Sequence, residues 1–432
     1  MSLRANALLL ALVCAVLAIL GEWSGGAIPA HLWALPAGLL LLGLAVEARL
    51  ARPTAVALRV QGPVHWVLAR PHCIALAFSQ TGRHRLHLEA ALTAPEEFTT
   101  RPRVERMVIE PQATTTLQLE ATPRCLGTYA WPPPRLRISG RLNLAWWSKP
   151  IEAAFTTTVV PDIASHTARR HAEQTTGRRQ HHTHGAGAEV LQLRDYQPGD
   201  PLRAVDWKAT ARSGRLMSRE FADDQHLELL VAIDAGRSSG LQAGEVDRFS
   251  LYATVAARLA QRATLFDDAV GLVVFAAQPL VVVPPLRGAP AVARLTQVLT
   301  ACRAQKSESN PVLAAARIRS MAQRRSLVVM LTDLADAAAG EQLGKAVRLL
   351  TPKHLPFIAA LESGRIAAFP YARAQDGLGA YRALAAFEYL DAIRDNVRAL
   401  QAQGAAAVVA RAENLDQAVL DAYQEFRDRR RV

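Results

Sequence analysis

Leu227-Glu228-Leu229-Leu230-Val231-Ala232-Ile233-Asp234 is an apolar run that closes on a carboxylate, and its reading decides the fold. A short segment rich in Leu, Val and Ile, without polar alternation, fits a strand buried on both faces. The same signature returns in Val270-Gly271-Leu272-Val273-Val274-Phe275, Leu280-Val281-Val282-Val283 and Ser326-Leu327-Val328-Val329-Met330-Leu331-Thr332-Asp333. It returns again in Pro356-Phe357-Ile358-Ala359-Ala360-Leu361 and Ala406-Ala407-Val408-Val409-Ala410. Helical periodicity fills residues 245–262, 291–302 and 312–323. Strands alternating with helices predict an α/β fold over residues 227–432, a doubly wound, mostly parallel sheet covered on both faces. Ligands of such sheets bind at the carboxyl ends of the strands, near a topological switch point. Asp234 and Asp333 both stand at such ends.

Carboxylates at strand ends, followed by hydroxyls, suggest a site for a hard cation. Asp234-Ala235-Gly236-Arg237-Ser238 resembles the Asp-x-Ser-x-Ser spacing of the metal-ion-dependent adhesion site in von Willebrand factor A domains, except at its middle position. Thr332-Asp333 is similar to that family's later metal-loop aspartate, and Ser309 is a weaker candidate for an intervening hydroxyl. The resemblance implies Asp234, Ser238 and Asp333 as metal ligands and Mg²⁺ as the candidate cofactor, in a degenerate site where Gly236 removes one hydroxyl. The plainer alternative is that both aspartates cap the following helices. For an enzyme the signals are poor. Gly340-Glu341-Gln342-Leu343-Gly344-Lys345-Ala346 is too short for a phosphate loop and lacks its final hydroxyl, and no Gly-x-Ser-x-Gly elbow occurs. No catalytic residue and no other cofactor is expected.

Upstream lies a charged block over residues 188–226. Glu189 precedes Leu193-Arg194-Asp195-Tyr196-Gln197-Pro198-Gly199-Asp200, followed by Arg203, Asp206-Trp207-Lys208, Ala211-Arg212, Gly214-Arg215 and Arg219-Glu220-Phe221. Pro198-Gly199-Asp200 predicts a turn, because proline presets one dihedral and glycine supplies another. Opposite charges interspersed around a tryptophan predict a lattice of ion pairs. This block resembles the hallmark of the bacterial family called "domain of unknown function 58", whose members read roughly Arg-x-Tyr-x-x-Gly-Asp, then Arg, then Asp-Trp-Lys and Ala-Arg. The resemblance covers most of the chain and extends to a closing helix carrying Tyr423. It implies a non-enzymatic membrane adaptor that works with MoxR-type AAA+ ATPases in protein maturation, assembly or envelope stress. Arg194, Asp195, Tyr196, Gly199, Asp200, Arg203, Asp206, Trp207, Lys208 and Arg212 would hold or present its contact surface. The competing reading of the same residues is a purely structural clamp between domains.

Residues 54–161 alternate at period two, as in Arg85-Leu86-His87-Leu88-Glu89 and Thr115-Thr116-Leu117-Gln118-Leu119-Glu120. Short segments of this kind, parted by Pro and Gly, predict half-buried antiparallel strands and a small β-sandwich-like domain. Within it, Pro123-Arg124-Cys125-Leu126-Gly127-Thr128-Tyr129 is similar to the family's Arg-Gly-x-Tyr turn, with extra residues inserted. Asn143-Leu144 stands where the family often has Gly-Leu. Residues 162–187 form a polar linker carrying His166, His171, His181, His182 and His184. No ligand spacing or cysteine accompanies them, so a solvated connector is expected rather than a metal site.

The first 50 residues hold two apolar stretches, 5–21 and 27–46, either side of a glycine-rich turn. Each has about the length a helix needs to cross roughly 30 Å of hydrocarbon. Arg4, Arg49, Arg52 and Arg59 flank them while the turn has no Lys or Arg, which predicts two spans with both termini cytoplasmic in a bacterial inner membrane. A cleaved signal peptide is the alternative. Cys14, Cys73, Cys125 and Cys302 are scattered, which reads as reduced thiols rather than a disulfide framework. The inward orientation and unpaired thiols also argue against an outward-facing, metal-dependent adhesion receptor. The net charge of +12 comes without the aromatic interleaving of a single-strand binder. An anionic lipid surface or an acidic protein partner is expected, and no nucleic acid.

Overall fold

The computed structural model describes the chain apart from residues 1, 24–28, 30, 52–55, 92, 102–103, 141, 150, 152–154, 164–183, 198–199, 201, 223–226, 336, 372–376 and 430–432. The expected linker histidines His166, His171, His181 and His182, and Gly199 of the charged motif, lie outside the described residues. The described part forms two compact units, Met1–Val160 and Pro161–Val432.

The first unit begins with helices Ala5–Trp23 and Ala34–Ala51, which pack on each other. Among the described residues one helix, Ala5–Trp23, is long and apolar enough to cross a membrane. Its side chains face outward, with Leu9 63% and Ile19 67% exposed. The second apolar stretch, expected over 27–46, is helical only from Ala34, and that helix runs on to Ala51, taking in Glu47 and Arg49. Strands follow, and the period-two expectation holds: Ile74, Leu76 and Phe78 are buried in His72–Gln80, as are Leu86, Leu88 and Ala90 in Leu86–Ala91. Val56–Gln61, His72–Gln80, Thr114–Pro123 and Phe98–Arg101 form a four-stranded antiparallel sheet. Ser2–Leu3, Ala145–Lys149, Arg135–Ser139, Leu86–Ala91 and Val104–Ile109 form a five-stranded one. A smaller sheet contains one parallel pairing, Phe155–Val160 with His65–Val67, where only antiparallel strands were expected.

An aromatic cluster fills this unit around Trp131, whose ring lies 4.9 Å from Phe98 and 5.1 Å from Phe155. Its indole N–H donates to Thr157 Oγ1 at 2.9 Å, so the buried polar tip is satisfied. Next to it, Gly127 has φ 133°, a backbone state that favours glycine. The Tyr129 hydroxyl donates back to the Leu126 carbonyl at 2.9 Å, closing the turn on itself.

The second unit is built on a six-stranded sheet. Its order is Pro279–Leu286, Ala269–Phe275, Glu228–Asp234, Leu327–Thr332, Leu355–Leu361 and Ala406–Ala410. All neighbours are parallel except the edge strand Pro279–Leu286, which pairs antiparallel. Leu229 to Ile233 and Val328 to Leu331 are essentially inaccessible, as strands covered on both faces require. Helix Arg248–Thr264 contributes Phe249, Tyr252, Ala253, Val255, Ala256, Leu259, Ala260 and Ala263 to the core, the spacing of a helix with a broad buried face. The segment that superficially suggested a phosphate loop is the interior of helix Ala337–Leu350. A Cβ on Gly340 would lie 2.1 Å from Asn396 Oδ1, so glycine there permits a close approach between helices.

Candidate functional site

Two arrangements in the second unit bring chemically distinctive side chains together. The first is the charged motif. Strands His184–Asp195 and Met217–Ala222 pair antiparallel, with Arg194 opposite Ser218 and Asp195 opposite Met217. The connecting segment carries a short 3-10 turn, Leu202–Ala204, and helix Trp207–Ser213. Arg194 grips Asp200 with both terminal nitrogens, at 2.9 and 2.8 Å. That planar fork matches a carboxylate in two parallel bonds, which lysine cannot supply. Gln197 N–H also donates to Asp200 at 3.0 Å, and the Tyr196 hydroxyl donates to the Asp200 carbonyl at 3.2 Å. The Arg194 bond foremost, then the Gln197 N–H, hold the Asp200 carboxyl below the usual range.

Asp206 performs a second, separate job. Its Oδ1 accepts from Lys208 N and Ala209 N, both at 3.0 Å, which caps the helix. Its Oδ2 accepts from Arg219 Nε at 2.9 Å. Arg219 first, then the Ala209 N–H, lower the Asp206 carboxyl. Gly214, at φ 68°, ends the helix in a left-handed cap. With both aspartates turned inward, the outer side of the loop displays Trp207 at 66% exposure and Leu202 at 73%. Lys208 and Arg212 are exposed on the same helix as Trp207. Asp195 points outward and lies 3.8 Å from Arg215. The structure therefore unites Arg194, Tyr196 and Asp200, and separately Asp206 with Arg219. The side chains of Glu189 and Arg203 lie outside the described residues.

The second arrangement sits at the carboxyl ends of the two central strands. Asp234 is 3% exposed. Its Oδ1 accepts from Gly236 N at 2.8 Å and from the Ser309 hydroxyl, and its Oδ2 accepts from Thr332 Oγ1 at 2.7 Å. Burial raises the Asp234 carboxyl above its ordinary value, against the lowering effect of these donors. Asp333 is bound by Arg248, and its other oxygen accepts from Ala335 N at 3.1 Å. Ser238 is half-buried on the turn Arg237–Gly240 and makes no hydrogen bond to either aspartate among the described residues. The hydroxyl that folds back to this strand end is that of Ser239, which donates to the Asp234 carbonyl at 2.7 Å.

Mg²⁺ needs an open shell of oxygens. This donor set does not fit a divalent cation as it stands. Hydroxyls and N–H groups already occupy Asp234, and a guanidinium lies on Asp333. A Cβ at Gly236 would fall 2.0 Å from Ser309 Oγ, so Ser309 fills the space that a side chain at 236 would take. Arg248 and Arg219 escaped the residue-type reading. Arg219 was visible within the charged block, but nothing local paired it with Asp206. An arginine opening an otherwise apolar helix face was the signal for Arg248.

Residues 192–361 match a family model described as "Protein of unknown function DUF58". An uncharacterized protein of Bacillus subtilis, YeaD, is 36% identical over 63 residues, which are 15% of each chain. The match thus spans a small part of that relative's length. Among solved structures, the conserved hypothetical protein BatB from Bacteroides thetaiotaomicron is 15% identical, with 46% of this chain and 98% of that chain covered at a TM-score of 0.31. A CARDB domain from Pyrococcus furiosus is 10% identical over 24% of this chain and 93% of its own, at a TM-score of 0.18. The family match runs from Gln192 in the charged motif through the α/β sheet as far as Leu361, so this part of the chain is similar to the DUF58 family of proteins of unknown function.

Proposed function

We propose that this chain is a membrane-anchored, non-enzymatic adaptor whose charged motif docks a MoxR-type AAA+ ATPase, in the assembly or maturation of other proteins or in envelope stress. The observation that carries this reading is the exposure of Trp207 on a loop braced by two arginine–aspartate pairs. An exposed indole on a short helix that also carries Lys208 and Arg212 has the composition of a protein-contact hot spot, with basic residues suited to an acidic partner face. The bracing lowers the ordering cost of association, because the loop is shaped before it binds.

The apolar helix Ala5–Trp23 supports the anchor. In this reading the helix Ala34–Ala51 is a second span, both termini are cytoplasmic in a bacterial inner membrane, and the sheet unit is a von Willebrand factor A-like domain. The central test is co-purification with a MoxR-type ATPase in mild detergent with nucleotide present. Association with the wild type, lost in Trp207→Ala at unchanged melting temperature, is the expected result. No association of the wild type sinks the proposal.

A further inference from the structure

The side chain of Arg248 is 7% exposed and paired with Asp333. It opens the helix Arg248–Thr264 and lies under the strand ends rather than on the surface. Burial opposes its charge, yet Asp333, with the Tyr252 and Tyr389 rings nearby, raises its pKa above the ordinary arginine value. The Tyr252 hydroxyl donates to the Thr332 carbonyl at 2.9 Å, which fixes the ring beneath the site. An arginine is the one basic side chain that stays charged under such burial and can satisfy a carboxylate geometrically. Two acidic groups at adjacent strand ends repel each other and need a positive partner; here the chain carries its own.

From this geometry we infer that Arg248 is a built-in replacement for a divalent cation, so that the strand-end site keeps its shape with no metal bound. Ser309 completes the substitution by taking the space over Gly236 and bonding Asp234. Arg237 N–H to the Ser307 carbonyl, at 2.9 Å, and Gln305 N–H to the Ala235 carbonyl, at 2.6 Å, then seat the loop bearing Ser309 on the strand end. The surface above the site is thus assembled by internal bonds alone. This inference stands apart from the adaptor reading, since its test reads only ion binding and stability.

The test is a titration of the purified full chain in detergent with Mn²⁺ and Mg²⁺ after chelator treatment. Bound Mn²⁺ is followed by electron paramagnetic resonance and unfolding by calorimetry. The wild type is expected to bind no Mn²⁺ at this site and to melt at the same temperature with either ion or with chelator. Arg248→Ala leaves Asp333 without its cation beside Asp234, so it should melt lower and recover several degrees on adding either ion. Arg248→Met, which keeps most of the stem, is the second variant in case the first does not fold. Stoichiometric Mn²⁺ binding by the wild type that disappears in Asp234→Asn overturns the inference. So does a folded Arg248 variant that gains no ion-dependent stability.

Discussion

The carboxylate of Glu47 accepts the backbone N–H of Gly140 at 2.8 Å, joining the end of the second helix to a loop 93 residues further on. The same carboxylate accepts from Ser139 Oγ at 3.0 Å, Leu144 N at 2.9 Å and Ala145 N at 3.2 Å, and the residue is 1% exposed. Arg4, ahead of the first helix, reaches the same loop. Its backbone N–H donates to the Leu144 carbonyl at 2.9 Å, and its guanidinium lies 4.3 Å from the centre of the Trp146 ring. The start of one helix and the end of the other are thus pinned to one loop, which ties the orientation of the hairpin to its strands.

Removing that carboxylate takes the acceptor from three buried backbone donors and leaves the Ser139 hydroxyl with Asn143 alone. Glu47→Ala should destabilise the first unit by about 3 kcal/mol, since each orphaned buried donor costs roughly 1–3 kcal/mol and relaxation recovers part. Glu47→Gln, which keeps one acceptor oxygen, should cost less. Denaturant unfolding in detergent, or limited proteolysis after residue 51, measures both. Equal stability of wild type and Glu47→Ala would contradict the pinning.

Asn143 has φ 60°. Asparagine tolerates this left-handed state and glycine adopts it freely, which explains the glycine that the family resemblance placed there. Asn143 also accepts hydrogen bonds from Arg4 and, at 3.3 Å, from Ser139 Oγ. Asn143→Gly should therefore be mild, while Asn143→Val should cost about 2 kcal/mol from backbone strain and lost bonds. Thermal melts of the two variants give the order; a valine variant as stable as the glycine one would refute it.

Trp207 is displayed rather than packed, so stability and binding should separate. Trp207→Ala is expected to shift the melting temperature little and to weaken partner binding by about thirtyfold, the effect of a hot spot worth roughly 2 kcal/mol. Binding isotherms and calorimetry on one preparation test this together. A large loss of stability would return the motif to the clamp reading.

His354 is 1% exposed, and neither ring nitrogen finds a partner among the described residues. Burial first, then Lys353 and Arg319, lower its pKa. The unfolded chain thus binds this proton more readily than the folded one, and stability grows with pH across that interval. Full stability is expected above the ordinary histidine value near 6.5, with progressive loss as pH falls below it. His354→Leu should flatten that slope; a melting profile between pH 7.5 and about 5 that is unchanged by the substitution would exclude this residue as its source.

Asp268 is wholly buried and accepts from Arg427 Nη1 at 2.6 Å, from Leu227 N at 2.8 Å and from the Tyr423 hydroxyl. Burial, with Asp268 beside it, pushes the Tyr423 hydroxyl far up. These bonds attach the closing helix Leu415–Arg429 to the start of the central strands. Tyr423→Phe should cost about 1 kcal/mol, and Asp268→Ala about 4 kcal/mol because it strands a buried guanidinium. Hydrogen exchange of the closing helix should rise in the second variant before the sheet opens.

Apolar runs and two-residue alternation made most of the strands legible. Each of the six C-terminal strands falls where an apolar run predicted it, because burial on both faces leaves a continuous signal in composition. The two-residue alternation likewise marked His72–Gln80 and Leu86–Ala91 as half-buried strands. The parallel pairing of His65–Val67 was not visible, since three residues carry no period and the choice of neighbour is not local. The motif residues were all recognisable as a group, whereas the helix that Asp206 caps was not. Nor was their division of labour, because any of several arginines could have faced either aspartate.

Residue type, spacing and apolar periodicity therefore determined the sheet, the apolar N-terminal helix and the existence of a charged loop. Tertiary structure alone decided that Glu47 serves the loop at 139–145, that Arg219 holds Asp206, and that Arg248 meets Asp333. The physical reason is one of range. Hydrophobic periodicity is written within a few residues, whereas a buried charge chooses its partner among groups that only packing brings together, and the cost of leaving it unpaired makes that choice specific.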